Sequence, residues 1–94
     1  MSDDAEVTRN DAESRYEVRY GGELAGFAAY QRTDQLVVFT HTEVDSRFEG
    51  HGLGSTLVRG ALDDVRRDGL RALPICPFVQ AFIRRHPDYA DLLR

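Results

Sequence analysis

The chain has 94 residues, with 12 basic and 16 acidic side chains and a formal net charge of −4, which is one domain at the small end of what a single core supports. The acidic balance argues against a general nucleic-acid or anionic-membrane surface, and a single cysteine excludes an internal disulfide and a cysteine-rich zinc site. No apolar run reaches the ~20 residues of a membrane span, and the acidic amino terminus does not read as a signal peptide, so the expected location is cytoplasmic.

Residues 1–13 are polar and acidic without periodicity and read as a flexible acidic tail, leaving 14–94 as one domain. Tyr16, Val18 and Tyr20 alternate with Glu17 and Arg19, the pattern of a half-buried strand. Gly21-Gly22 supplies a hairpin turn, and Leu24 to Gln31 returns as the next strand. Thr33-Asp34 turns the chain again. Leu36 to Val44 is the most strand-like segment, and its unbroken Leu36-Val37-Val38-Phe39 marks an interior strand. Leu57, Val58, Ala61, Leu62 and Val65 recur at helical spacing, and Gly69 ends that helix. Leu70 to Ile75 reads as a short strand parallel to its predecessor across a right-handed crossover. Phe78, Val79, Phe82 and Ile83 mark a second helix that Pro87 ends, and Tyr89, Leu92 and Leu93 form a docked last turn. The expected fold is α/β (α+β). Three antiparallel strands, a helix, a fourth strand and a helix make a mixed, mostly antiparallel sheet with two main helices.

The most informative stretch is Glu49-Gly50-His51-Gly52-Leu53-Gly54, which follows a strand and precedes an amphipathic run from Ser55. Glycines let an anion approach the backbone, and a new helix adds free amides and the positive end of its dipole. The stretch therefore reads as a phosphate cradle, with a ligand-free glycine turn as the alternative. A P-loop needs a lysine after its last glycine, and Gly54-Ser55-Thr56 has none. The dinucleotide fingerprint needs a third glycine where Ser55 stands.

The loop instead resembles the pyrophosphate loop of the GNAT superfamily of N-acetyltransferases, Gln/Arg-x-x-Gly-x-Gly/Ala. His41-Thr42-Glu43-Val44, Cys76-Pro77-Phe78-Val79 and His86-Pro87-Asp88-Tyr89 extend the resemblance to its small single-domain (YjdJ-like) branch, from Tyr16 to Leu93. The resemblance implies a minimal GNAT acyl-CoA N-acyltransferase fold, acetyl-CoA as cosubstrate and an amine as acceptor; the three histidines and one cysteine lack metal-ligand spacing, so no metal is expected. It assigns CoA binding to Val44, Gly50, His51, Gly52, Leu53, Gly54 and Ser55, with the backbone of Phe39 to Val44 along the pantetheine. Aligning Gly52 and Gly54 with the motif puts Glu49 in its first slot, where an acid is unfavourable unless it points away. The frame Arg47-x-x-Gly50-x-Gly52 restores the arginine but moves the helix start by two residues. The first frame is preferred because the helix then follows the last glycine without a gap.

Three residues are the catalytic candidates. Cys76 precedes Pro77, which is favoured at the first position of a helix. As an N-cap its thiol would gain thiolate character, and it could accept an acetyl group, protonate departing CoA, or simply pack. His41 and Glu43 share a strand face by period-two alternation, an arrangement for taking a proton from an ammonium or for a hydrogen-bonded sheet pair. Tyr89 is a candidate acid by resemblance, and Arg84 and Arg85 are candidates for the cofactor's 3′-phosphate. Packing with Leu92 and Leu93 is the preferred reading of Tyr89, and a solvated helix face that of the arginines. His51 faces solvent or a CoA phosphate on this reading, and His86 stops a helix. Two other classes of function stay open. One is a CoA-binding module with little turnover; the other is a structural partner using the last helix. The acceptor remains open among polyamine, protein lysine, amino terminus and small-molecule amine.

Overall fold

Two glycines at a hairpin tip set the first antiparallel pairing. Gly21 and Gly22 have φ of +58° and +86°, a left-handed pair that side chains avoid and that matches the twist of tight hairpins. The computed structural model describes residues 4–93. Around this turn Arg15–Tyr20 (β2) pairs antiparallel with Glu23–Arg32 (β3). Leu36–Val44 (β4) pairs antiparallel with β3, and Arg71–Pro74 (β5) runs parallel to β4. Between β4 and β5 the chain forms a 3-10 turn, Ser46–Phe48, and a helix, Leu53–Arg67 (α1). A second helix, Pro77–Arg85 (α2), and a 3-10 stretch, Pro87–Leu92, follow β5.

The α1 helix ends as its sequence dictates. Gly69 takes φ +70°, and the Gly69 and Leu70 amides donate to the Arg66 and Val65 carbonyls at 3.1 Å each. That double bond pattern satisfies carbonyls a helix end otherwise leaves orphaned. Inward-facing Tyr16, Val18, Ala28, Tyr30, Val37, Phe39 and Ala72 of the sheet form one core with Leu57, Val58, Leu62 and Val65 of α1 and Val79, Phe82 and Ile83 of α2. Both helices lie on that face of the sheet. Among the described residues no helix covers the other.

The order of the sheet is β1-β2-β3-β4-β5, one strand more than expected. Ala5–Asn10 (β1), expected within a flexible tail, pairs with β2 from Ala5 opposite Tyr20 to Asn10 opposite Arg15. Contacts distant in sequence overturn the expectation. A β-carbon on Gly60 would lie 2.9 Å from the Cβ of Val7, so the missing side chain lets β1 sit against α1. Arg9 Nη1 pairs with Asp64 at 2.9 Å and with Asp68 at 3.0 Å, while its Nε reaches Asp11 at 2.9 Å. Arg32 adds a 2.6 Å pair to the same Asp68. Residues 1–3 of the expected tail lie outside the described residues. A chain beginning at Asp11 should melt about 10 °C below the full protein, from roughly 2 kcal/mol of lost Val7 burial and Arg9 pairing. Thermal denaturation followed by circular dichroism checks this; an unchanged midpoint would return residues 5–10 to a dispensable tail.

Candidate functional site

The site starts from an irregularity in β4. Tyr30 pairs with Phe39 but Ala29 pairs with His41, so Thr40 is an extra residue opposite none. Such a bulge reverses the alternation of side chains beyond it. Val37 and Phe39 point at the helices; past the bulge Thr42 and Val44 take that side instead. His41 and Glu43 consequently lie on the open face, with side chains 58 % and 62 % exposed. The bulged residue is followed by a fork. β5 pairs with β4 only as far as Phe39, whose carbonyl accepts both the Ile75 and Cys76 amides at 3.0 Å. Beyond that point β5 no longer lies beside β4, and the Cys76 thiol reaches over to donate to Thr42 Oγ1 at 3.4 Å.

The glycine turn stands next to the fork. Asp45 caps the 3-10 turn by accepting from the Arg47 amide at 2.9 Å. This bond, followed by the Arg47 guanidinium, holds the Asp45 carboxyl below its usual range. Gly50 and Gly52 then take φ of +90° and +67°, and α1 begins directly at Leu53. Its first intrahelical amide bond runs from Thr56 to the Gly52 carbonyl at 3.1 Å. The amides of the turn before it have no acceptor within the helix, and no acidic side chain occupies that turn. These donors are what an anion binds. They border a cleft of about 260 Å³ lined by Val44, Phe48, Glu49, Gly50, Gly52, Leu53, Gly54, Ser55 and Phe78.

This geometry corrects the expected frame. Gly54 is inside the helix, and the reason it is glycine is packing: a β-carbon there would sit 2.6 Å from Phe78 Cζ. Gly50 and Gly52 carry the turn, and the helix follows Gly52 without a gap. Of the two frames, Arg47-x-x-Gly50-x-Gly52 is the one that the helix follows without a gap, and Glu49 is exposed. Arg47 pairs with Asp45 at 3.2 Å and lies 5.1 Å from the Phe48 ring centre.

The remaining candidates separate cleanly. His41 Nε2 and Glu43 Oε2 are 2.8 Å apart, with the Phe27 ring 6.1 Å from the imidazole. Glu43 and Phe27 also line a second groove, of about 410 Å³, at the β3–β4 end. Cys76 is the N-cap residue of α2 with Pro77 behind it, but its thiol makes no cap bond and is turned to Thr42, leaving the residue 4 % exposed. Cys76 and the His41–Glu43 pair thus occupy opposite faces of the sheet. His51 stacks on Tyr20 at 4.5 Å. Tyr89 donates to Asp63 at 2.6 Å and accepts from Arg59 at 3.2 Å. Burial first and the Asp63 bond second raise its phenol above the ordinary value, so it is a tethered core residue. His86 caps α2, its Nδ1 2.9 Å from the Phe82 carbonyl, and Arg84 and Arg85 are exposed on the helix surface. Sequence reasoning gave Thr42 a main-chain role only and missed its side-chain contact with Cys76, and it missed the contact of Phe78 with Gly54. Phe78 was read only as a helix-face residue, and its pairing with Gly54 leaves no local signal.

A bulged, forked β4 beside a glycine turn at a helix amino terminus defines the acyl-CoA N-acyltransferase class of fold. The family model for the GCN5-related N-acetyl-transferase matches residues 15–92, and the chain belongs to that family. Protein NATD1 of Bos taurus is 36% identical over 53 residues, 56% of this chain and 47% of that protein, and NATD1 of Gallus gallus is 32% identical over 53 residues. The chain spans about half the length of these relatives. Among solved structures, a GCN5-like protein from Staphylococcus aureus superposes with a TM-score of 0.71 at 18% identity, over 98% of this chain and 90% of that one. Ard1 from Thermoplasma volcanium gives 0.60 at 22% identity, over 83% of this chain and 55% of that one. Both likenesses are of fold. Among the described residues no group of three or more His, Cys, Asp or Glu is placed to hold a metal, and no helix is long and apolar enough to cross a membrane.

The buried thiol yields a direct measurement. Iodoacetamide should alkylate Cys76 at least tenfold more slowly in the folded protein than in urea, because only 4 % of the residue is accessible. Equal rates would mean that the thiol swings out of its contact with Thr42.

Proposed function

We propose that this chain is an acetyl-CoA-dependent N-acetyltransferase. The observation that carries the reading is the fork between β4 and β5, opening directly onto the free amides of the Gly50–Ser55 turn. On this reading the pyrophosphate of the cosubstrate takes the turn amides and the helix dipole. The pantetheine arm runs along the unpaired edge of β4, where strand alternation directs the backbone groups of Thr42 and Val44 away from β3. That places the thioester beside Thr42 and Cys76.

The acceptor amine approaches from the open face, where His41 stands. With Nε2 bonded to Glu43, Nδ1 of the neutral imidazole takes a proton from the ammonium. The freed amine attacks the thioester carbonyl, and as the C–S bond breaks the proton shed by the attacking nitrogen passes to the departing thiolate of CoA. The acceptor is an amine of unassigned identity. A second reading is favoured by the position of the Cys76 thiol at the fork. In it the thiol attacks the thioester and releases CoA as its thiol, and the amine then attacks acetyl-Cys76. A binding module with little turnover is the reading left if CoA binds and no amine prompts its release. The proposed location is cytoplasmic, and nucleic acid and membrane are not among the proposed partners.

Three measurements separate these readings. Ser55→Glu keeps or raises the melting temperature, since an acid in the first turn suits the helix dipole, yet it should weaken CoA binding more than tenfold. Wild-type affinity in that variant would remove the cofactor from the turn. The rate of CoA release with an accepted amine should fall at least tenfold in His41→Ala, and its pH profile should change; an unchanged rate and profile would demote His41 to a sheet residue. Intact mass after incubation with acetyl-CoA decides the route. An added acetyl that is removed by hydroxylamine and missing in Cys76→Ala supports the covalent path. Full activity in Cys76→Ala with no acetyl on the wild type supports direct attack.

A further inference from the structure

Helix amino-terminal amides donate to the oxygens of any diphosphate, so the turn alone does not distinguish CoA from other adenine diphosphates. The discrimination has to come from what stands next to it. The cleft at the turn joins Gly50, Gly52 and Ser55 to four apolar side chains, Val44, Phe48, Leu53 and Phe78. Phe78 is unusual among them. It sits in the first turn of α2 and is 39 % exposed, while Val79, Phe82 and Ile83 of the same helix are buried. Its Cζ comes within 2.6 Å of where a β-carbon on Gly54 would be. The first turn of α1 is therefore trimmed to receive this ring, which remains half open to the cleft.

We propose that Phe78, seated on Gly54, is the specificity-determining wall for the pantetheine arm, meeting the gem-dimethyl carbon that follows the pyrophosphate in CoA. The inference rests on the CoA reading above and deepens it by naming the residue that tells CoA from diphosphates lacking pantetheine. The chemistry matches along the cleft. Amides and the hydroxyl of Ser55 take charge at one end. The ring, Val44 and Leu53 meet a quaternary carbon bearing two methyl groups, the most apolar unit of that arm. Val44 ends β4, so the same wall leads on to the fork where Thr42 and Cys76 stand. Apolar contact of this size corresponds to about a tenfold change in affinity.

The test is calorimetric titration of the wild type, Phe78→Ala and Gly54→Ala with two probes. One is CoA; the other is adenosine 3′-phosphate 5′-diphosphate, which carries the same three phosphates, with one further ionisable oxygen at its free end, and no pantetheine. Phe78→Ala should weaken CoA about tenfold and leave the diphosphate within twofold. Gly54→Ala, which favours the helix but displaces the ring, should show the same selective loss with an unchanged or higher melting temperature. Equal effects on both probes, or none on either, would overturn the proposal while leaving CoA binding in place. A wild type that binds neither probe would overturn the CoA reading and this inference with it.

Discussion

One extra residue in β4 governs the rest of the arrangement. Thr40 has no register partner on β3, its hydroxyl donating instead to the Ala29 carbonyl at 3.4 Å, and the strand beyond it presents its other side to the helices. In an unbulged strand the inward set that begins with Val37 and Phe39 would continue through His41 and Glu43. A histidine and a carboxylate would then lie beneath the helices, each at a cost of several kcal/mol unless fully bonded. With the bulge, Thr42 and Val44 take the inward places and the polar pair reaches the open face. The same stretch of strand parts from β5, because one carbonyl, that of Phe39, receives the two amides that follow β5, those of Ile75 and Cys76. An unpaired edge is a liability in a soluble sheet. Here it is short, and it leads to a set of helix amides that also lack partners.

Holding so small a chain around that opening falls to contacts made by α1. Asp64 accepts from the Tyr16 hydroxyl at 2.7 Å and pairs with Arg9, and Asp68 pairs with Arg9 and Arg32. Tyr30 donates to Asp11 at 2.9 Å, and burial, followed by that bond, pushes its phenol up to about 12. These phenols stay neutral and act as donors at the end of the core. Single exposed ion pairs contribute little. Two arginines and three aspartates sharing partners lose less side-chain freedom for each bond, and the planar guanidinium suits such sharing. On the open face Glu17 is 4 % exposed. Its burial alone would raise the carboxyl, but bonds from Arg15 and Asn10 hold it below the usual range. Protonation at low pH gives up those bonds, so its stabilising contribution is present above the ordinary carboxylate value and lost as pH falls through the lowered one.

The two faces of the sheet divide the chemistry. Cys76 and Thr42 meet on the helix side, and His41 and Glu43 stand on the other. A group bound in the fork is reached from both.

Much of this was legible from residue order alone, because the signals are local. Gly21-Gly22 forces a left-handed turn, Gly69 ends α1, Pro77 opens α2, and the apolar spacing from Leu57 to Val65 buries one helix face. Period-two alternation also put His41 and Glu43 on one face, and they are bonded. What the sequence left open depended on partners distant along the chain. β1 has only Ala5 and Val7 to alternate, and it is fixed by Asp64, Asp68 and Gly60. The bulge at Thr40 shows only in register against β3, so which face His41 takes was not readable from β4. Cys76 was placed at the right backbone position, but its thiol turns to Thr42, a choice made by the strand beside it. Gly54 looked like part of an anion loop and is a seat for Phe78, because steric fit between two helices leaves no periodic trace in either.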